Sequence, residues 1–469
     1  MTTLLWFTHD LRLSDNSALC AASKSGAPIL PVYLIDDSNP AKHTGASLWW
    51  LHHSLAALNQ QLQAQGGELL ILRGDTQSLL KLADKHDCQQ IYFSRAHEPW
   101  LAEQQKQLHQ AASRQGVTCK QFAGQLLVEP DTIFNQQDKP FQVFTPYYKT
   151  VMNQIGNPTP VTMPKTFTWK PHKIDASKTL KKQQWLPTQP NWATGFNHWR
   201  PGETGAHQHL KGVINRLSQY HEARDIPSEE GTSMLSPHLH FGEISPRQVW
   251  QTVSQHFSQG EASPYLRQLI WREFSYYLIH HYPHMLNAPF KDKFKDFPWR
   301  KATPKKLHLW QQGQTGYPLV DAGMRQLWQT GWMHNRVRMV VASFLTKHLQ
   351  VHWRKGADWF WDTLLDADLA NNTAGWQWVA GCGADAAPYF RIFNPVTQSE
   401  KFDKHGDYIR TYVPELAKLP SKYIHAPWEA PEEELKRAGI KLGETYPTPM
   451  VDHKTAREEA LNAYAAIKN

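Results

Sequence analysis

The chain has 469 residues, 41% of them hydrophobic and 20% charged, with a formal net charge of +8. That length exceeds one hydrophobic core and predicts two domains, while the composition excludes a disordered or fibrous chain. The longest apolar runs, such as residues 29–35, reach only strand length, so no membrane partner is expected.

At the N-terminus, MTTLLWFTHDLRL has no basic stretch ahead of an apolar one, which points to a cytoplasmic protein. Apolar runs at 4–7, 29–35, 69–72, 90–93 and 117–122 predict five strands. Helical spacing fills the gaps at 48–65, 76–87 and 101–115, with Thr76 as an expected N-cap and Gly66, Gly67 and Gly116 as stops. The alternation predicts an α/β domain over 1–130, a doubly wound parallel sheet that binds ligands at the carboxyl ends of its strands. No G-x-G-x-x-G follows the first strand, so a dinucleotide is not expected there. Prolines 158, 160, 164, 171, 187, 190 and 201 then punctuate an irregular stretch, expected as an ordered linker over 131–203. Helical periods at 206–224, 246–259, 264–281, 319–329, 336–351 and 357–365 predict an all-helical second domain over 204–469. Cys20, Cys88, Cys119 and Cys382 show no C-x-x-C spacing, which argues for a reducing compartment and against a metal centre.

Ten of the 20 tryptophans fall between Trp271 and Trp378. Repeated Trp in a helical core must satisfy repeated indole N–H groups, and suggests aromatic walls round a flat ligand, a relay for electrons, or both. Basic residues gather from Arg224 onward, among them Lys291, Lys293, Lys295, Arg336, Arg338, Lys401 and Lys404, as a polyanion-binding face would need. GTSMLSP at 231–237 is a hydroxyl-rich turn before a helix, which offers donors to a phosphate or, more plainly, an ordinary cap. Gln268, Trp271 and Arg272 share one helical face, which alone would read as a core Trp beside a surface ion pair.

Together these pieces resemble the photolyase/cryptochrome flavoproteins. The resemblance runs from WFTHDLRLSDN at 6–16 to Tyr446-Pro447 and VDHK at 451–454. Its most specific parts are GTSMLS, LIWREF, TGYPLVDAGMR, TGWMHNRVRM, DADLANN, and GWQW followed by DAAPYFRIFNP. Among the branches the chain is most similar to bacterial cyclobutane-pyrimidine-dimer photolyases of class III, related to plant cryptochromes.

The resemblance implies a light-driven DNA lyase and a set of roles. Tyr220, Thr232, Ser233, Met234, Leu235 and Ser236 would hold the FAD diphosphate and ribityl regions, with Arg272 nearby. Asp366, paired with Arg338, and Asp368 would contact the adenine–ribose and flavin side, and Asn372 would face flavin N5. Trp376, Trp353 and Trp299 match the electron relay. Gln268, Trp271 and Trp378 would line the lesion cavity beside Asn335, Arg336 and Met339, while Arg224 and Gln398 match positions that touch DNA. An extruded dimer needs such aromatic walls and phosphate anchors. UV-damaged DNA is the expected partner, no obligate protein partner is evident, and a monomer is expected.

Two departures stand out. Gln268 replaces the Glu usual in dimer photolyases and cannot supply its negative charge. Enzymes of the (6-4) type also carry Gln there but put His where this chain has Asn335. Trp100 and Leu101 stand where one folate-binding branch has Asn-Glu, and Thr8 and His9 replace basic residues of other antenna pockets. An antenna is expected as methenyltetrahydrofolate bound in the class III manner rather than as deazaflavin or FMN. The rival reading is a blue-light receptor binding FAD and DNA with little repair. A neutral Asn372, where plant cryptochromes have Asp, and the short stretch after Leu442 weigh against it.

Overall fold

The computed structural model describes residues 2–301, 303–386 and 390–467. Five parallel strands, β1 (Thr2–Phe7), β2 (Ile29–Ile35), β3 (Leu70–Arg73), β4 (Cys88–Ser94) and β5 (Thr118–Phe122), form one sheet in the order β3-β2-β1-β4-β5. Alternation along β1 sends Leu5 and Phe7 to one face, under the helices α1 (Ser17–Lys24) and α2 (Gly45–Gln63). Leu4 and Trp6 point to the other, under α3 (Thr76–Lys85) and α4 (Pro99–Arg114). All five strands stand within two residues of the expected runs. The sequence reading missed α1 and misplaced one cap, because Asp75, not Thr76, accepts the Ser78 amide at 3.0 Å. A carboxylate one residue earlier satisfies the same orphan N–H groups.

The stretch between the domains is ordered and does two jobs. Its first part forms the helix Phe144–Gln154, whose Phe144, Tyr147 and Val151 join the core of the helical domain. Its second part returns to the sheet domain, where Trp169 bridges to Ile29 and Phe196 and Trp199 enter the core beside α2. The helical domain's predicted elements appear with two breaks. The 206–224 period splits into Glu203–Val213, a 3-10 stretch and Tyr220–Ala223, and the 336–351 period ends in a π-helical turn at Phe344–His348. The helix Gln259–His281 starts five residues early because Ser258 and Glu261 form a capping box.

The two domains are clamped by buried polar groups. Arg12 donates to Gly242 O at 2.8 Å, Asp15 O at 2.9 Å and Gly124 O at 3.1 Å. Asp15 receives Arg247, and Trp50 donates its indole N–H to Glu243 at 2.9 Å. Gly242 stands at φ +66° with His9 O 2.0 Å from where a Cβ would lie, so no side chain fits at this seam. The N-terminal motif at 6–16 therefore serves domain docking. No helix is long and apolar enough to cross a membrane among the described residues, and all four cysteines are free and buried.

Candidate active site

Four helices, Gln259–His281, Asn335–Ser343, Trp353–Thr363 and Leu369–Ala380, pack round one region and carry most of the expected site residues. At its floor Arg338 Nη2 donates to both carboxylate oxygens of Asp366, at 2.8 and 3.1 Å, and Arg338 Nε donates to Met333 O at 2.7 Å. The Asp366 side chain is 4% exposed, so its charge is neutralised where water hardly reaches. Asn372 Nδ2 donates one N–H to Ala357 O at 3.0 Å, which fixes the amide and leaves Oδ1 and the second N–H to meet a ligand.

Asp368 is satisfied by protein. Its Oδ1 caps the helix Leu369–Ala380 through Asn371, while Oδ2 receives the Tyr276 hydroxyl and lies 3.2 Å from His240 Nδ1. Burial opposes its charge, yet His240, Arg272 and the Tyr276 hydroxyl together hold the carboxyl well below its usual range. Arg272 is likewise engaged, donating to Gln125 O and Glu273 Oε1 at 3.2 Å each. The hydroxyl turn is tight. Met234 sits at φ +50°, Leu235 is buried, and the exposed Ser236 receives the Trp332 indole N–H at 3.3 Å. Tyr220 packs edge-on to Tyr265 at 5.2 Å beneath that turn, and Thr232 and Ser233 are part-exposed on it.

At the open side Trp271 lies flat on Phe144, 3.5 Å between centroids and 7° from parallel. Arg267 covers the same stack 5.0 Å from the Phe144 ring. Gln268 turns its amide nitrogen to Pro264 O at 3.1 Å, and Trp378 donates to Asp385 O at 3.1 Å. Asn335 is exposed and approaches Met339 Sδ at 4.0 Å. Arg224 and Arg336 meet on one carboxylate: Asp225 lies 3.8 Å from Arg224 Nε and 2.7 Å from Arg336 Nη2. Arg336 also covers Phe402 at 4.3 Å, and Gln398 stands one turn before Phe402 on the same helix. His334 caps the helix Asn335–Ser343 through its ring nitrogen, and burial pushes its pKa down to about 4. The motif at 385–395 passes through Ala387, Pro388 and Tyr389, which lie outside the described residues.

Of the relay candidates, Trp376 is 3% exposed and fits only because Gly356 has no side chain. Its ring neighbours are Phe360 at 4.9 Å and Trp310 at 6.2 Å. Trp353 lies one turn before Gly356 and is buried, and Trp299 is part-exposed. Two further indoles, Trp328 and Trp359, lie near-parallel at 6.1 Å, with Trp328 52% exposed.

Several chemically active groups escaped the sequence reading. Glu273 is buried, accepts the Leu127 amide at 2.8 Å, and burial raises its pKa to about 7. Tyr276 and His240 hold Asp368, and only their neighbours in LIWREF and HFGEIS could have signalled them. Asp321, within TGYPLVDAGMR, receives Thr315, Gly316 and Tyr446, so that motif ties the C-terminal segment down. A cavity of about 200 Å³ opens at the carboxyl ends of β1, β2 and β4, lined by His9, Tyr33, Lys42, His43, Glu98 and Leu101 among others.

A family profile described as the FAD binding domain of DNA photolyase matches residues 265–466, and one described as DNA photolyase matches residues 3–165. The chain belongs to the photolyase/cryptochrome family. It is 48% identical to a deoxyribodipyrimidine photo-lyase of Agrobacterium fabrum, over 99% of this chain and 98% of that protein. Cryptochrome-1 of Arabidopsis thaliana is 36% identical over 98% of this chain and 70% of its own length. The crystal structure of a bacterial class III photolyase from Agrobacterium tumefaciens superposes with a TM-score of 0.92 at 47% identity, covering 100% of this chain and 98% of that one. As a photolyase/cryptochrome protein with an FAD-binding domain, the chain binds FAD. The residues present suit that group: a hydroxyl turn for a diphosphate, a neutralised Arg338–Asp366 pair, and the uncommitted Asn372 Oδ1.

Proposed function

We propose that the chain repairs cyclobutane pyrimidine dimers in UV-damaged DNA under light. The observation that carries this reading is Asn372, whose neutral amide is fixed by Ala357 with Oδ1 and the second N–H left for the flavin. The chemistry that bound, reduced FAD supplies is a one-electron loan to the dimer, which opens the cyclobutane ring. The protein does the rest. Thr232, Ser233 and Ser236 hold the diphosphate, and Arg338 with Asp366 fixes the far end of the cofactor without leaving a net charge. Trp378 and the Trp271–Phe144 stack wall the lesion cavity, and Gln268, Asn335 and Met339 meet the pyrimidine edges. Arg224, Arg336 and Gln398 hold the backbone of the flipped strand.

Trp376, Trp353 and Trp299 carry electrons inward to restore the reduced state. A methenyltetrahydrofolate antenna serves the sheet domain, and the protein acts as a monomer in the cytoplasm. Illuminating reduced protein with dimer-containing DNA and following thymine absorbance tests the reading. Recovery that needs both light and protein is expected, and a flat trace returns the chain to the receptor class.

A further inference from the structure

An imidazole stands between two of the relay tryptophans. The His352 ring lies 5.5 Å from Trp353, 29° from parallel, and 5.2 Å from Trp299 at 65°. The surroundings are fixed, since Arg300 N donates to Gln350 O at 2.8 Å and Trp299 packs on buried Phe297 at 4.4 Å. Nδ1 of His352 accepts the Arg354 amide at 3.2 Å and so caps the helix Trp353–Thr363. That cap exists only while Nδ1 carries no proton. Burial lowers the His352 pKa, Arg354 and Lys355 lower it further, and Asp358 opposes them. On the facing segment the charged neighbour is Arg300, paired with Glu459 at 3.1 Å.

We propose that His352 is a proton-controlled gate on the outer half of the relay, open as neutral imidazole and closed as imidazolium. The gate rests on the relay reading of Trp376, Trp353 and Trp299. With the gate open, one electron passes from Trp353 to the Trp376 that has been oxidised by light. One then passes from Trp299 to the oxidised Trp353, so each acceptor is restored and the electron deficit ends at Trp299. A soluble thiolate replaces that electron and becomes a thiyl radical. With the gate closed, a positive charge lies almost equally near Trp353 and Trp299. It raises the energy of an oxidised ring at both places against Trp376, which meets the helix a turn further on at Gly356. At about 5 Å and an effective dielectric near 20, one charge shifts such an equilibrium roughly a hundredfold. The deficit then stays beside the flavin and recombines.

Flash spectroscopy of the FAD-loaded protein, without thiol so that the radical is not consumed, reads the yield of long-lived tryptophan radical from about pH 8 down to about pH 4.5, well below an ordinary imidazole because burial and its cationic neighbours lower His352. The informative variant is H352N, because Asn also caps a helix but cannot titrate. Wild type should lose about tenfold or more of its pH 8 yield on acidification. H352N, scored against its own pH 8 value, should stay level. Dark melting curves give a second readout. A folded pKa below the unfolded one means that stability is lost as pH falls, so Tm should drop further in wild type than in H352N. An H352N protein with the same acid loss as wild type overturns the gate. If W299F keeps the wild-type yield at pH 8, relay and gate fall together. If W299F loses it while wild type is level across pH, the gate alone falls.

Discussion

Asp366 precedes the helix that carries Asn372, Arg338 stands on the neighbouring helix, and among the described residues neither charge has another ion-pair partner. Removing one member of a buried pair strands the other, at a typical cost of about 3–5 kcal/mol, less where water reaches the arginine. Asp366→Ala should therefore purify with little FAD, read as the ratio of flavin to protein absorbance; wild-type loading would remove the pair from the site. Glu273 makes a pH prediction. Its folded pKa of about 7 lies above the unfolded value, so the folded state holds the proton that the unfolded state releases. Stability must then fall as pH rises from about 4.5 to about 7. Glu273→Gln should flatten that slope in Tm against pH, and an unchanged slope would assign it to other groups. These two acids differ in how far the sequence disclosed them. Asp366 stood in a recognisable DADLANN, whereas Glu273 looked like a surface ion pair because nothing local shows that Leu127 and Val128 bring their amides to it.

Elements with clean periodicity were legible, and those defined by long-range contact were not. The strands announced themselves by apolar runs between glycine stops, and the helix Trp353–Thr363 by its spacing. Phe144–Gln154 hid in a proline-rich stretch, since its apolar face has meaning only against the helix Gln259–His281. That hidden helix supplies the Phe144 ring beneath Trp271. Phe144→Ala should cost about 3–5 kcal/mol of stability. It should also weaken binding to dimer-containing DNA more than to intact DNA, because Trp271 loses its support. Equal losses on the two duplexes would make the stack core packing alone. The relay predicts a separation of functions at the same scale. Trp376→Phe should block light-driven reduction of oxidised FAD while chemically reduced protein still repairs. Photoreduction at the wild-type rate would send the electrons elsewhere, with the Trp328–Trp359 pair as the next route to test.

Across the whole molecule a +8 net charge draws the protein to DNA, but the arginines expected to grip the backbone are partly spent on each other's partner. Asp225 serves both Arg224 and Arg336, so the cluster offers one net positive charge. Asp225→Ala should tighten binding to damaged and intact duplexes alike and steepen the salt slope by about one unit. Trp378→Ala should instead lose ~1–3 kcal/mol, felt mainly on damaged DNA. Anisotropy across a salt series separates the two. The sequence sets Asp225 beside Arg224, but nothing local shows that the same carboxylate also holds Arg336, 111 residues further on. Dimer repair itself is tested most directly by single-turnover illumination of the reduced protein on two oligonucleotides of one sequence. One carries a cyclobutane dimer and the other a (6-4) product. A cyclobutane-dimer photolyase restores intact thymines on the first and leaves the second unchanged. Recovery only on the (6-4) strand, or on neither, would contradict that function.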